Sequence, residues 1–284
     1  MPQTKTEIRA ILDELDAPPR HRLGQNFMID GNILRIIADA GNISPDDLVL
    51  EIGPGTGTLT QELLARGAIV TAIEIDKKLA EFLRKQFAGN SKFRLIEGDA
   101  LDGKHALNPE LLAVIREAKS LNRTVRLVAN LPYQIASPLV VQLLMAGVDL
   151  LAFTVQKEVA ERLAASPDSK VYGPLSIVTQ LLSRVEICRT IPPQAFWPMP
   201  KIHSALVRVT RDDRLRERAE LFSSFVHRVF SSRRKTLRNA LTRAGTDEHV
   251  ALPSGIDPQS RSEQVSPEQF LELFERCKPP TIVE

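Results

Sequence analysis

Leu48-Val49-Leu50-Glu51-Ile52-Gly53-Pro54-Gly55-Thr56-Gly57 is the stretch that decides the fold. A short apolar run stops at a glycine, and a GxGxG turn then opens a helical stretch from Leu59 to Arg66. Glycines permit a tight turn and let backbone approach a ligand closely. Four more apolar runs follow: Ile69 to Glu74, Phe93 to Ile96, Val125 to Ala129 and Leu150 to Val155. Helical stretches separate them at Lys78 to Phe87, Pro109 to Lys119 and Pro138 to Met145. Strands alternating with short helices imply βαβ units and a parallel sheet. Val185 to Thr190 and Ser204 to Thr210 are expected to add an antiparallel edge. Upstream, Asn32 to Ala40 reads as a helix ending at Gly41, and Ile8, Ile11, Leu12 and Leu15 have helical spacing that Pro18-Pro19 should end.

The 284 residues are 43% hydrophobic and 25% charged, an ordinary globular composition. It excludes a disordered tail, a collagen-like fibre and a membrane span. Apolar runs such as Val140-Val141 and Leu143-Leu144 fall far short of the roughly 18 residues a spanning helix needs. Met1 to Ala10 contains no apolar signal region, and the two cysteines, Cys188 and Cys277, form no CxxC. A reducing, cytoplasmic setting is expected. The five histidines, His21, His105, His203, His227 and His249, show no metal-ligand spacing and read as surface or loop residues, so no metal is expected.

The pattern changes at Arg211-Asp212-Asp213-Arg214. Glu217 to Leu241 reads as helix, Pro253 to Ser266 as loop and Pro267 to Cys277 as a last helix. The expected organisation is an N-terminal arm at 1–25, an α/β domain at 26–210 and a small all-α domain at 211–284. Net charge is only +2, but Val226 to Arg243 carries Arg228, Arg233, Arg234, Lys235, Arg238 and Arg243 with no acid. Such a run is either a solvated helix face or a surface for phosphates. On a continuous helix, Arg234 and Arg238 would share a face.

Polar groups recur at the strand ends. Glu51 stands two residues before Gly53, Glu74 follows it by 21, Asp99 closes the third strand and Asn130 the fourth. In an open parallel sheet ligands bind outside those carboxyl ends. Glu74 is placed for ribose hydroxyls and Asp99 for an adenine amino group. A nicotinamide cofactor competes, but its GxGxxG fingerprint needs a glycine where Thr58 stands, and no hydride-transfer acid/base pair is evident. The GxGxG spelling resembles class I S-adenosylmethionine-dependent methyltransferases.

Asn130-Leu131-Pro132-Tyr133 directly follows the fourth strand. It could be an ordinary turn. Chemistry offers a sharper reading. The exocyclic amine of adenine is a poor nucleophile, because its lone pair is delocalised into the ring. The Asn130 side-chain oxygen and the Leu131 carbonyl can accept its two N–H bonds and favour a pyramidal nitrogen. Pro132 fixes the turn and Tyr133 can stack on the base. Positioning and electrostatics would then carry the reaction, with no strong base.

This tetrapeptide resembles the Asn/Asp-Pro-Pro-Tyr signature of DNA and RNA amino-group methyltransferases, in the Asn-Leu-Pro-Tyr form of the ribosomal RNA adenine dimethyltransferase family. Further segments resemble that family: Gly24-Gln25-Asn26-Phe27-Met28, Gln156-Lys157-Glu158-Val159, Ser169 to Ser176 (SKxYGxLS) and Phe196 to Ala205 (FxPxPxVxSA). Phe230 to Asn239 resembles the FxxRRKxLRN segment of the bacterial small-subunit type. The resemblance implies a Rossmann-like sheet with a small helical C-terminal domain. It implies S-adenosylmethionine held by Asn26, Met28, Glu51, Gly53, Gly55, Glu74, Asp99 and Asn130, with Asn130, Leu131, Pro132, Tyr133 and Phe196 at the target base. Phe196 would cover the base's second face, and taken alone it could also be core. Arg233, Arg234, Lys235 and Arg238 would contact RNA. The implied reaction is N6-dimethylation of two adjacent adenines in the 3′-terminal hairpin of 16S ribosomal RNA in the small subunit, with a role in subunit biogenesis. A monomer is the default. The rivals are a 23S ribosomal RNA enzyme of the macrolide-resistance type, a methyltransferase for a small molecule or protein, and an assembly factor in which binding dominates. Trp197 reads as either RNA-facing or packed.

Overall fold

Seven strands form one sheet: β1 (Leu48–Ile52), β2 (Ile69–Glu74), β3 (Phe93–Glu97), β4 (Val125–Asn130), β5 (Leu150–Gln156), β6 (Ser183–Ile191) and β7 (Ser204–Arg211). The structure is a computed structural model that describes residues 2–103, 106–212, 214–215, 218–247 and 250–277, without the side chain of residue 21. His105, His249 and the expected helix start at Glu217 lie outside the described residues. Strand order is β3-β2-β1-β4-β5-β7-β6. The pairs β1–β2, β2–β3, β1–β4 and β4–β5 are parallel, and β7 runs antiparallel to β5. β1 is buried along its whole length and β5 at all but its last residue. Burial on both faces explains why both read as near-continuous apolar runs.

The chain divides into two compact units, residues 1–160 with 186–211, and residues 161–185 with 212–284. In the first unit, helices α1 (Lys5–Glu14), α2 (Gly31–Ala40), α3 (Thr58–Ala65), α4 (Lys77–Gln86), α5 (Pro109–Ser120) and α6 (Ala136–Met145) accompany the sheet. Local chemistry sets their starts. Asp30 caps α2, Asp76 caps α4, and Asn108 caps α5 just before Pro109. Ile33, Leu34 and Ile37 of α2 and Leu59 and Leu63 of α3 cluster with Val49, Val70 and Val128 of the strands.

α1 starts in a capping box between Thr4 and Glu7 and ends at Glu14, ahead of Pro18-Pro19. Asp16, at φ 45°, turns the chain earlier than the prolines would. The arm packs onto the first unit: Ile8, Leu12 and Ala17 cluster with Phe27 and Leu79. Phe27–Met28 pairs antiparallel with Phe196–Trp197. The Trp197 ring lies 6.4 Å from Phe27 with the Arg9 guanidinium 5.8 Å above it, so Trp197 is packed. A two-residue hairpin pairing, Leu101–Asp102 with Ala106–Leu107, was not evident from sequence.

α7 (Lys157–Leu163) crosses from the first unit into the second. The second unit contains α8 (Pro174–Leu182), α9 (Ala219–Phe230), α10 (Leu237–Arg243) and α11 (Pro267–Arg276). α8 packs on α9 and α11, which is why residues 161–185, expected with the sheet, group here. Phe222 and Phe225 pack on Phe274, and buried Tyr172 donates its hydroxyl to the Val265 carbonyl at 2.7 Å. The continuous helix expected over Glu217 to Leu241 is corrected. Helix stops at Phe230 and restarts at Leu237. Thr236 bridges to Arg261, and the Leu237 N–H is taken by the Ser260 carbonyl at 2.7 Å. That tertiary pairing draws residues 231–236 out of helix, although arginine and lysine favour it.

Candidate active site

Strand order reverses between β1 and β4, and a crevice opens there at the carboxyl ends of the strands. Asn26, Met28, Glu51, Gly53, Gly55, Glu74, Asp99 and Asn130 all line the cavity that fills it. The glycine turn is built for close approach. Gly53 has φ 69° and Gly55 φ 61°. A Cβ on Gly53 would stand 3.3 Å from Pro132, and one on Gly55 would stand 3.0 Å from the Phe27 ring.

Glu74 holds this turn from below. Its Oε2 accepts from the Gly55 N–H at 3.2 Å and its Oε1 from the Asp76 N–H at 2.9 Å. It is 3% exposed, and burial pushes its carboxyl up to about 7. Glu51 accepts from the Thr60 hydroxyl at 2.6 Å. Burial, with the nearby Glu74 charge adding to it, pushes Glu51 up to about 8. Two buried carboxyls in one crevice resist ionising together. Asp99 is exposed, and its Oδ1 accepts from the Leu101 N–H at 3.0 Å. Ile75, 46% exposed, lines the same wall. The walls thus offer carboxylates for hydroxyl and amino donors and an apolar surface for a flat ring.

The turn after β4 closes one end. Asn130 Nδ2 donates to the Asn26 carbonyl at 2.8 Å, and its Oδ1 accepts from the Thr154 hydroxyl at 2.5 Å. Leu131 is buried, and Pro132 lies against Gly53. The Tyr133 hydroxyl is bonded to the Ser204 hydroxyl at 2.7 Å, and burial raises its pKa. Phe196, at 2% exposure, sits in the core cluster with Met28, Leu34 and Ala195, and like Leu131 and Tyr133 it is not among the residues that line the cavity. An aromatic in this motif reads the same in a core and in a site.

Three supporting residues escaped the sequence reading. Thr154 and Ser204 are fully buried hydroxyls tied to Asn130 and Tyr133. Their signal was a lone polar residue in an apolar strand and a serine within a recognised motif. Gln3 donates to the Thr56 carbonyl at 3.1 Å and accepts from the Thr56 and Thr58 hydroxyls at 2.6 and 2.7 Å. Nothing local marks that strap, which joins residues more than 50 apart.

In the second unit, the basic stretch divides. Arg233 pairs with Glu263 at 2.5 Å, and Arg238 donates to the Val250 carbonyl at 2.9 Å. Arg234 and Lys235 are exposed in the turn between α9 and α10. Arg234 and Arg238 are therefore not neighbours on one helix face, because the helix is interrupted between them. Among the described residues no His, Cys, Asp and Glu group has the makings of a metal site, and no helix is long and apolar enough to cross a membrane.

A profile of the family described as ribosomal RNA adenine dimethylase matches residues 18–278. The ribosomal RNA small subunit methyltransferase A of Mycobacterium bovis is 41% identical over 286 aligned positions, covering 96% of this chain and 87% of the relative. The protein of the same name from Clostridium perfringens is 41% identical over 263 positions, covering 87% of each. The structure is similar to that of the 23S rRNA methyltransferase ErmE, with TM-score 0.63 and 27% identity over 89% of this chain and 99% of that one. It is also similar to a dimethyladenosine transferase from Plasmodium falciparum, with TM-score 0.65 and 25% identity over 88% and 96%.

Proposed function

The chain belongs to the ribosomal RNA adenine dimethylase family, and on that premise we propose which RNA it modifies and which residues do the work. It is a methyltransferase with a class I fold, a class that uses S-adenosylmethionine. The proposed substrate is 16S ribosomal RNA of the small subunit, with two adjacent adenines in its 3′-terminal hairpin as targets. Small-subunit relatives at 41% identity and the resemblance of Phe230 to Asn239 to the small-subunit segment support that choice. The proposed enzyme is a cytoplasmic monomer that takes part in subunit biogenesis.

The observation that carries the mechanism is the Asn130 carboxamide, held from both ends at the lip of the crevice. When bound, S-adenosylmethionine supplies an electrophilic methyl group on a sulfonium. Glu74 would accept its ribose hydroxyls and Asp99 its adenine amine, with Asn26 and Met28 along its methionine end. A target adenine unstacked from the RNA would present its N6 to Asn130 Oδ1 and the Leu131 carbonyl. Those two acceptors localise the amine's lone pair by drawing its N–H bonds out of the ring plane. Tyr133, tethered through Ser204, offers a ring face to the base. Methylation makes the amine acidic, so its surplus proton leaves afterwards to solvent. No residue need act as a strong base. Arg234 and Lys235 would contact phosphates without reading sequence.

Asn130→Ala should lower kcat by about 100-fold, the scale of losing one preorganised electrostatic contact. S-adenosylhomocysteine binding should remain measurable by calorimetry in that variant. Full methylation activity in that variant would remove Asn130 from the mechanism. Glu74 accepts hydroxyl donors most strongly, and with both oxygens, when it is ionised, and burial holds its proton up to about pH 7. S-adenosylhomocysteine binding should therefore weaken roughly tenfold as pH falls from 8 to 6, following the ionised fraction. Glu74→Gln should flatten that slope, and an unchanged slope would place the titration elsewhere. Arg234→Glu with Lys235→Glu should weaken RNA binding and make its log–log salt slope shallower by roughly one to two. An unaltered slope would leave that turn without phosphate contacts.

A further inference from the structure

Thr154 lies beside Asn130 in the parallel β4–β5 pairing. It is a fully buried hydroxyl in β5, whose other buried members, Leu150 to Phe153 and Val155, are all apolar. A buried hydroxyl costs free energy unless it is bonded. Its partner is Asn130 Oδ1 at 2.5 Å, and the other end of that carboxamide donates to the Asn26 carbonyl at 2.8 Å. A carbonyl can only accept, so the amide nitrogen must face Asn26. The amide oxygen then faces Thr154, and the hydroxyl must be the donor. An amide oxygen has two lone pairs, and Thr154 occupies one.

We propose that Thr154 is a positioning residue for methyl transfer: its hydroxyl clamps the Asn130 carboxamide so that the second lone pair of Oδ1 aims at the target amine. The proposal deepens the reading of Asn130 as an acceptor and rests on it. Two effects of the clamp oppose each other. Donation into Oδ1 weakens it somewhat as an acceptor, so on that ground alone removing Thr154 would speed the reaction. Fixing the amide's rotation keeps the acceptor aligned, so on that ground removal would slow it. Alignment wins, because a rotated amide loses the whole contact while polarisation changes only a fraction of it. Asn26 alone cannot supply the alignment, since one hydrogen bond leaves the carboxamide free to swing about it.

Thr154→Val removes the hydroxyl at nearly constant volume. Single-turnover methyl transfer to ribosomal RNA should fall roughly tenfold, the scale of one well-placed hydrogen bond. S-adenosylhomocysteine affinity and the KM for RNA should stay within about twofold. Thr154→Ser, which keeps the donor, should stay close to the wild-type rate. Thr154→Ala and Thr154→Ser both lose the methyl group and differ only in the hydroxyl, so that pair repeats the comparison if the valine protein folds poorly. A wild-type rate in Thr154→Val, or a serine variant as slow as the alanine one, overturns the proposal. Full activity in Thr154→Val beside an inactive Asn130→Ala would sink the clamp and spare the acceptor reading. Full activity in Asn130→Ala would sink both.

Discussion

A parallel sheet whose strand order reverses must leave a crevice where neighbouring strands send their crossovers to opposite faces. Here the reversal falls between β1 and β4, and the candidate cofactor residues at the strand ends depend on it. β1 delivers the glycine turn, β2 delivers Glu74, the loop after β3 delivers Asp99 and β4 delivers Asn130. None of these side chains is near another in sequence. One topological feature brings them to one rim.

The rim is then held by buried polar groups that would be costly if left unpaired. Glu74 is both wall and support, since its two oxygens already accept backbone N–H groups from Gly55 and Asp76. Asn130 is gripped at both ends of its carboxamide, and Tyr133 is tethered through its hydroxyl. Gln3 straps Thr56 and Thr58 from outside. On the proposed mechanism, little reorganisation is left for the reaction step, which is how a site without a strong base would accelerate attack by a weak nucleophile.

The sheet was legible in sequence for a physical reason. Strands buried on both faces must be largely apolar, so β1 and β5 appear as near-continuous runs, and the glycines of the turn sit at positive φ, where a side chain is disfavoured. The strand-end acids were legible because topology assigns them to one edge. What escaped was decided by distant partners. The break at 231–236 depends on Arg261 and Ser260, and the pairing of Phe27–Met28 depends on Phe196–Trp197. Phe196 joined the core, and the grouping of 161–185 with the helical unit followed from packing of α8. Thr154 carries meaning only because β5 lies in register with β4.

The most direct measurement is the product of the purified protein on two RNAs. Small ribosomal subunits lacking these methyl groups, and separately large-subunit RNA, would be incubated with S-adenosylmethionine, digested, and their nucleosides identified by mass. N6,N6-dimethyladenosine at two adjacent positions, from small subunits alone, is the expected result. Product from large-subunit RNA only, or none from small subunits, would contradict the proposed substrate.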